Sequence, residues 1–301
     1  MKPILLFGHR GQIGSELERV FAAAGPLIAP GRAEVDLEKA DALCSFIRSA
    51  HPALIVNAAA YTAVDRAEAC ADTAFRVNAE APGVMAEEAR RLGVPLIHYS
   101  TDYVFDGAKA EPYVESDTPH PLSAYGRSKL AGERAIAASG ADAVIVRTSW
   151  VFGDGANFVR TILRLAAERE SLRVVDDQIG APTPAALVAD VTAAIVATLN
   201  SEGWAAAIYH CTASGAVSWH GYARAIVAEA LESGIALRLS PDNILPIPTA
   251  DYPLPARRPL NSLLDCGRIE ARFGLKLPHW RTGLERFIAS EAAGLRRSAP
   301  G

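Results

Sequence analysis

A glycine turn near the amino end restricts the fold more than any other feature of this chain. Ile4, Leu5, Leu6 and Phe7 form a short apolar run, which reads as a buried parallel strand. The run stops at Gly8, and Gly8-x-x-Gly11-x-x-Gly14 leads into a helix. That helix is expected to start near Gln12 or Ile13 and to turn Leu17, Val20 and Phe21 to one side. Glycines at such a junction let the backbone approach a pyrophosphate, and the helix N-terminus favours its negative charge. Gly8, Gly11, Gln12, Ile13 and Gly14 are therefore candidate contacts of a dinucleotide.

The first half of the chain continues the alternation. Strands are expected at Leu27 to Ala29, Leu54 to Val56, Pro95 to Tyr99 and Ala143 to Val146, with helices at Ala79 to Leu92 and Tyr125 to Ala138. Alternation of this kind predicts an α/β fold, a Rossmann-like doubly wound parallel sheet with right-handed crossovers. Ligands of such sheets lie beyond the carboxyl ends of the strands. Gly8, Ala58, Ser100 and Arg147 all fall at or near those ends.

After Trp150 the rhythm changes. Helices are expected at Phe158 to Ala167, Pro184 to Leu199 and Ser218 to Leu231, and Ile208 to Cys211 reads as a strand returning to the sheet. The prolines between Pro241 and Pro259 argue against a regular parallel sheet there. The expected division is a nucleotide-binding domain over 1–153, with 184–212 returning to it. Residues 154–183 and 213–301 would form a smaller C-terminal α/β lobe that closes over a substrate. Ser298 to Gly301 read as a fraying end.

With 301 residues and 50% hydrophobic content the chain can bury one large core, or one core and a smaller lobe. A net charge of −4 offers no general attraction to nucleic acid. No signal-peptide pattern opens the chain, and no apolar stretch reads as long enough to cross a membrane. Cys44, Cys70, Cys211 and Cys266 lack Cys-x-x-Cys spacing and read as small buried residues, with a reducing cytoplasm as the expected location.

Chemistry enters with Ser100-Thr101-Asp102 and with Tyr125-x-x-x-Lys129. Free tyrosine, with a pKa of about 10, is a poor proton shuttle at neutral pH. A nearby ammonium, or the positive ring of an oxidised nicotinamide, would favour its ionised form. Residues four apart share a helix face, so Lys129 can sit beside Tyr125, and Lys129 can also hold ribose hydroxyls. Thr101, at a strand end, can hydrogen-bond a substrate oxygen together with Tyr125. Without the glycine turn, Tyr-x-x-x-Lys would be a solvated helix face; together with it, hydride transfer at a carbonyl or alcohol carbon is the favoured reading.

The spacing of the glycines resembles that of the short-chain dehydrogenase/reductase superfamily. More specifically, Ser100-Thr101-Asp102-Tyr103-Val104-Phe105-Asp106-Gly107 followed by Tyr125-Gly126-Arg127-Ser128-Lys129-Leu130-Ala131-Gly132-Glu133 resembles the dTDP-4-dehydrorhamnose reductase family. So do the stretches from Asn57 to Asp65, from Arg147 to Phe152, from Asp177 to Thr183 and from Arg257 to Ser262. The resemblance runs from residue 3 to about residue 290. It implies that a nicotinamide cofactor delivers hydride to C4 of dTDP-4-dehydro-L-rhamnose, the last step of dTDP-rhamnose synthesis. Thr101, Tyr125 and Lys129 would be the catalytic set. Ala58, Ala59, Ala60, Tyr61 and Ser100 would face the cofactor, and Asp36 and Leu37 its adenine. Thr62, Val64, Asp102, Tyr125 and Trp150 would face the sugar, and Arg258 would pair with its pyrophosphate.

The end of the second strand, Pro30-Gly31-Arg32, carries no acid to grip a ribose 2′-hydroxyl, whereas Arg32 can face a 2′-phosphate. NADPH is thus preferred, with NADH an alternative. The resemblance also brings magnesium, held by glutamates at a dimer interface. Glu16 can take part, but Ala185-Ala186 stand where the family carries a glutamate, and no acidic or histidine cluster has ligand spacing. No metal is expected, and a homodimer is compatible with the sequence. Two other readings stay open: a nucleotide-sugar epimerase or 4,6-dehydratase, and a regulatory subunit like the methionine adenosyltransferase beta subunit. Dehydratases commonly have Thr-Asp-Glu where this chain has Thr101-Asp102-Tyr103, which counts against elimination.

Overall fold

The computed structural model describes residues 1–298; the expectation for Ala299 to Gly301 lies outside them. Five parallel strands come from the first half: β1 (Ile4–Phe7), β2 (Leu27–Ile28), β3 (Leu54–Asn57), β4 (Leu96–Thr101) and β5 (Ala143–Thr148). Among the described residues the main sheet has six strands, and the sixth is Ala207–His210, which runs parallel to β5. From that edge the order is Ala207–His210, β5, β4, β3, β1, β2. The order reverses direction between β1 and β3, whose carboxyl ends carry Gly8 and Ala58. This is the expected doubly wound α/β sheet, and a crevice for a ligand opens at the reversal.

Strand composition explains the layering. β3, β4 and β5 are buried on both faces throughout, as parallel strands covered by helices must be. On one side Leu6, Val56, Ile97 and Val146 pack against Leu17 and Phe21 of α1 (Gln12–Ala24). The same cluster holds Val188, Ile195 and Leu199 of the helix Ala185–Glu202. On the other side Leu5, Ile55 and Ile145 meet Leu43, Met85 and Ile136.

The helix Ala185–Glu202, 18 residues long with a mean hydropathy of 1.3, has the length and composition to cross a membrane, contrary to the sequence expectation. Its apolarity has a visible use: Val188, Ala189, Val191, Ile195 and Leu199 bury against the sheet and α1.

A second cluster joins the helices Phe158–Glu168, Trp219–Glu232 and Trp280–Ser298 through Val159, Ile162, Tyr222, Ile226, Leu284 and Ile288. Ile269 and Leu277, by contrast, pack with the sheet cluster. In the proline-rich stretch, Ile244–Ile247 pairs in parallel with Leu172–Val175 and sets Pro246 opposite Val174. The sequence argued against a regular parallel sheet there, and what forms is a two-stranded ribbon apart from the main sheet. In a two-stranded ribbon each strand has an open edge, where a missing N–H costs no ladder bond. Cys211 is buried, but Cys70 is exposed rather than buried as expected.

Candidate active site

Two clefts meet at the carboxyl ends of β1 and β3. The smaller, about 470 Å³, lies beside Gly8, Gly11, Ala59, Ala60 and Tyr61 and reaches Arg32, Asp36 and Leu37. The larger, about 790 Å³, runs from Gly11, Gln12 and Ile13 past Ala58 to Ser100, Thr101, Tyr125 and Lys129, and ends at Thr62, Val64, Asp102 and Trp150. Nearly every candidate residue therefore faces one continuous groove. Gly14 and Arg258 are outside it.

Each glycine of the turn has its own reason. Gly8 sits at φ +83°, and a Cβ there would come within 2.5 Å of the Ala59 backbone. A Cβ on Gly14 would come within 1.9 Å of the Gly8 carbonyl oxygen. Gly14 thus lets α1 start directly beneath the turn instead of touching a ligand. Gly11, at the N-cap, leaves the first-turn N–H groups of α1 facing the groove with no side chain over them.

The helix Ala124–Ser139 brings in Tyr125 and Lys129. The Ser123 hydroxyl accepts from the Gly126 N–H at 3.1 Å and so fixes the first turn. Two further glycines let the helix nest closely. A Cβ on Gly126 would lie 2.2 Å from the Tyr103 carbonyl oxygen, and one on Gly132 would lie 2.1 Å from that of Asn78. Asn78 sits in a π-helical turn, Arg76–Glu80, and its amide donates to Ser128 Oγ at 3.0 Å and to the Tyr61 carbonyl at 3.1 Å. Glu133 receives a bidentate, fully buried bond from Arg147 of β5, at 2.6 and 2.9 Å. The sequence placed Arg147 at the site; its side chain instead locks this helix to the sheet.

Burial raises the Tyr125 phenol to about 12, partly countered by a hydrogen bond with Thr101. The phenol therefore stays protonated, as a proton donor must. The expected ammonium beside Tyr125 is not what acts on it here. Lys129 Nζ instead donates to the Tyr99 carbonyl at 2.6 Å and lies 3.2 Å from His98 Nε2. Burial pulls Lys129 down to about 8, opposed by Glu133. Thr101 Oγ1 donates to Asp102 Oδ1 at 3.0 Å and accepts from the Tyr103 N–H at 3.2 Å, which orients it at the strand end.

The expectation for Arg258 meets a competitor. Its guanidinium is held by the Asp65 carboxylate at 2.8 and 3.0 Å, and this bond keeps the Asp65 carboxyl below its ordinary range. Arg32 likewise bonds Glu38 at 2.9 Å and lies 3.9 Å from Asp36. The strand end read as free of acid in fact has two carboxylates folded over its arginine, because the chain after Arg32 turns back. Arg10, which sequence reading passed over, lines both clefts. Trp150 adopts φ +47°, rare for a bulky residue. Its indole stacks on Trp219 with centroids 3.5 Å apart, in a space that Gly180 leaves open. Among the described residues no three His, Cys, Asp or Glu side chains gather as a metal site requires. Glu16 pairs with Arg19.

Asp102 yields a test. Burial pushes its carboxyl up to about 6, although hydrogen bonds from Ser262 and Thr101 oppose the rise. The unfolded chain, with a carboxyl pKa of about 3.9, loses this proton at lower pH than the native state does. Asp102 therefore makes wild-type stability fall as pH rises from about 4 to about 6. Asp102→Asn should gain on wild type by roughly 2–3 kcal/mol between pH 4 and pH 8. Urea unfolding of both proteins at the two pH values measures the gain. Parallel pH dependences would show that the carboxyl is not shifted.

Comparison with known proteins agrees with this geometry. The model of the RmlD substrate binding domain family matches residues 1–293. A dTDP-4-dehydrorhamnose reductase of Burkholderia thailandensis is 49% identical over 92% of this chain and 95% of its own length. The crystal structure of a dTDP-4-dehydrorhamnose reductase from Clostridium acetobutylicum superposes with a TM-score of 0.88, at 34% identity over 96% of this chain and 99% of that one. That of the Bacillus anthracis dTDP-4-dehydrorhamnose reductase, in complex with NADP, superposes at 0.87, with 32% identity and the same coverage. With its glycine turn, its Thr101, Tyr125 and Lys129 in one groove and relatives matched along almost all their length, the chain belongs to the dTDP-4-dehydrorhamnose reductase family.

Proposed function

We propose that this protein reduces the C4 ketone of dTDP-4-dehydro-L-rhamnose to dTDP-L-rhamnose with NADPH, as the last step of dTDP-rhamnose synthesis. The observation that carries this reading is the convergence of Thr101, Tyr125 and Lys129 on a groove that begins at the glycine turn. The turn fits a nicotinamide dinucleotide: Gly8 and Gly14 let the turn pack tightly between β3 and α1, and the α1 N-terminus offers its N–H groups to a pyrophosphate. When bound, the reduced nicotinamide supplies the hydride.

The protein's own part is to bind, orient and protonate. Tyr125, held protonated by burial, gives its proton to the oxygen that becomes the alcohol. Thr101 donates a second hydrogen bond to that oxygen once it leaves Asp102. Lys129 holds the ribose. Thr62, Val64, Asp102 and Trp150 form the end of the groove where a deoxysugar would lie, with the flat indole suited to its apolar face. Tyr103, whose ring meets Tyr125 edge-on with centroids 5.5 Å apart, stands where elimination would call for a carboxylate. That favours reduction over dehydration. Arg258 reaches the nucleotide pyrophosphate by exchanging its bond to Asp65 for the phosphate. Four free cysteines fit a cytoplasmic location.

The reading is tested by supplying dTDP-4-dehydro-L-rhamnose and following NADPH oxidation. Tyr125→Phe should lose about 10²–10⁴-fold in kcat while still binding NADPH. Unchanged turnover in the variant would remove Tyr125 from the chemistry. NADPH preference rests on Arg32 and, with it, Arg10. Arg32→Ala should raise KM for NADPH several-fold more than KM for NADH. Equal losses with both cofactors would refute a 2′-phosphate contact.

A further inference from the structure

Behind Lys129 lies a buried polar chain that the proposed reaction does not use. His98, in the middle of β4, is fully buried. Its Nδ1 is 3.0 Å from Asn57 Nδ2, and its Nε2 is 3.2 Å from Lys129 Nζ. Asn57 Oδ1 is already taken by the Ala59 N–H at 3.1 Å, so the asparagine must present its NH₂ to the imidazole.

Donor counting then decides the protons. A neutral imidazole carries one N–H, and burial together with the Lys129 charge holds His98 neutral. With Asn57 donating to Nδ1, the hydrogen belongs on Nε2 and points at Lys129. A neutral amine accepts that bond with its lone pair and still donates to the Tyr99 carbonyl. An ammonium cannot accept it. Moving the imidazole hydrogen to Nδ1 only transfers the conflict to Asn57, and turning the Asn57 amide transfers it to the Ala59 N–H. Every arrangement with a charged Lys129 leaves two donors face to face, fully buried at His98 or part-buried at the Ala59 N–H, and a buried donor left without an acceptor costs about 1–3 kcal/mol.

We propose that His98 is a positioning residue which, backed by Asn57, holds Lys129 Nζ at the end of β4 and favours the neutral amine there. The other charged or titratable groups around Lys129 are few. Tyr125 and Glu133 lie on its own helix, and Asp102 lies at the end of β4. Arg147 of β5 takes up the charge of Glu133. None of these supplies the missing acceptor.

The device has a use, and here the inference rests on the proposed reductase reading. His98 keeps Nζ at the end of β4, where Lys129 is assigned to hold the ribose, and the lowered midpoint sets the pH above which that ammonium is lost.

The test separates the inference from the reading by leaving substrate out. In the full chain, ¹⁵N NMR of histidine and lysine side chains reports the His98 tautomer and the Lys129 titration. We expect His98 with hydrogen on Nε2 and a Lys129 midpoint near 8. In His98→Gln the amide oxygen can accept from an ammonium, so the midpoint should rise by about one unit or more. The alkaline limb of NADPH oxidation should rise with it. Hydrogen on Nδ1 in the wild type, or an unmoved Lys129 midpoint in the variant, would overturn the inference. The wild-type tautomer decides the question if the variant does not fold. The expected spectra from a protein that does not oxidise NADPH would support the inference and reject the reductase reading.

Discussion

The site depends on how closely the helix Ala124–Ser139 lies against its neighbours. Two carbonyl oxygens, of Tyr103 and Asn78, occupy the space where Gly126 and Gly132 would carry side chains. Any larger residue there would lift the helix and withdraw Tyr125 and Lys129 from the end of β4 together. The Glu133–Arg147 pair holds the same helix from the other direction. A buried ion pair adds little net stability, but breaking one partner away is costly, so its effect is to fix one register of helix on strand. The first half of the groove is built on the same principle. There Gly14 lets α1 begin against the carbonyl of Gly8.

Burial then sets the chemistry. Tyr125 and Lys129 are both shifted toward their neutral forms, the phenol up to about 12 and the ammonium down to about 8. Before a ligand arrives, the site is thus loaded with a proton on the acid, and the lysine on the same helix is an ammonium that burial has made easier to deprotonate. A bound cofactor and substrate would change that balance by adding charge and excluding water. The strained Trp150, packed on Trp219, connects the end of the groove lined by Thr62, Val64 and Asp102 to the second hydrophobic cluster. Strain at such a position persists only where the surroundings over-determine it, and here Gly180 and Trp219 do so.

The sheet was legible in the sequence because its strands are short, begin with apolar runs and are separated by helices of clear period. That Thr101, Tyr125 and Lys129 would share one groove was legible because their types and spacing are unusual in combination. What stayed hidden came from contacts between distant segments. Nothing local says that Arg147 would turn to Glu133, or that Asp65 would take Arg258 across the fold. Arg32 was read as free because Glu38, six residues on, folds back over it only after a turn. His98 reads as one more residue of a buried strand; its importance appears only when Asn57 and Lys129 are seen on either side. The length of β4 was underestimated because Ser100 and Thr101 are polar, although both are buried in the strand.

The central claim is that this groove passes hydride from a nicotinamide to the sugar carbonyl while Tyr125 supplies the proton. NADPH deuterated at the transferable position of its ring, incubated with enzyme and dTDP-4-dehydro-L-rhamnose, tests it most directly. The account predicts one deuterium in the product, on C4 of the sugar, with oxidised cofactor formed in equal amount. Deuterium retained on the cofactor, or found on another sugar carbon, would contradict it.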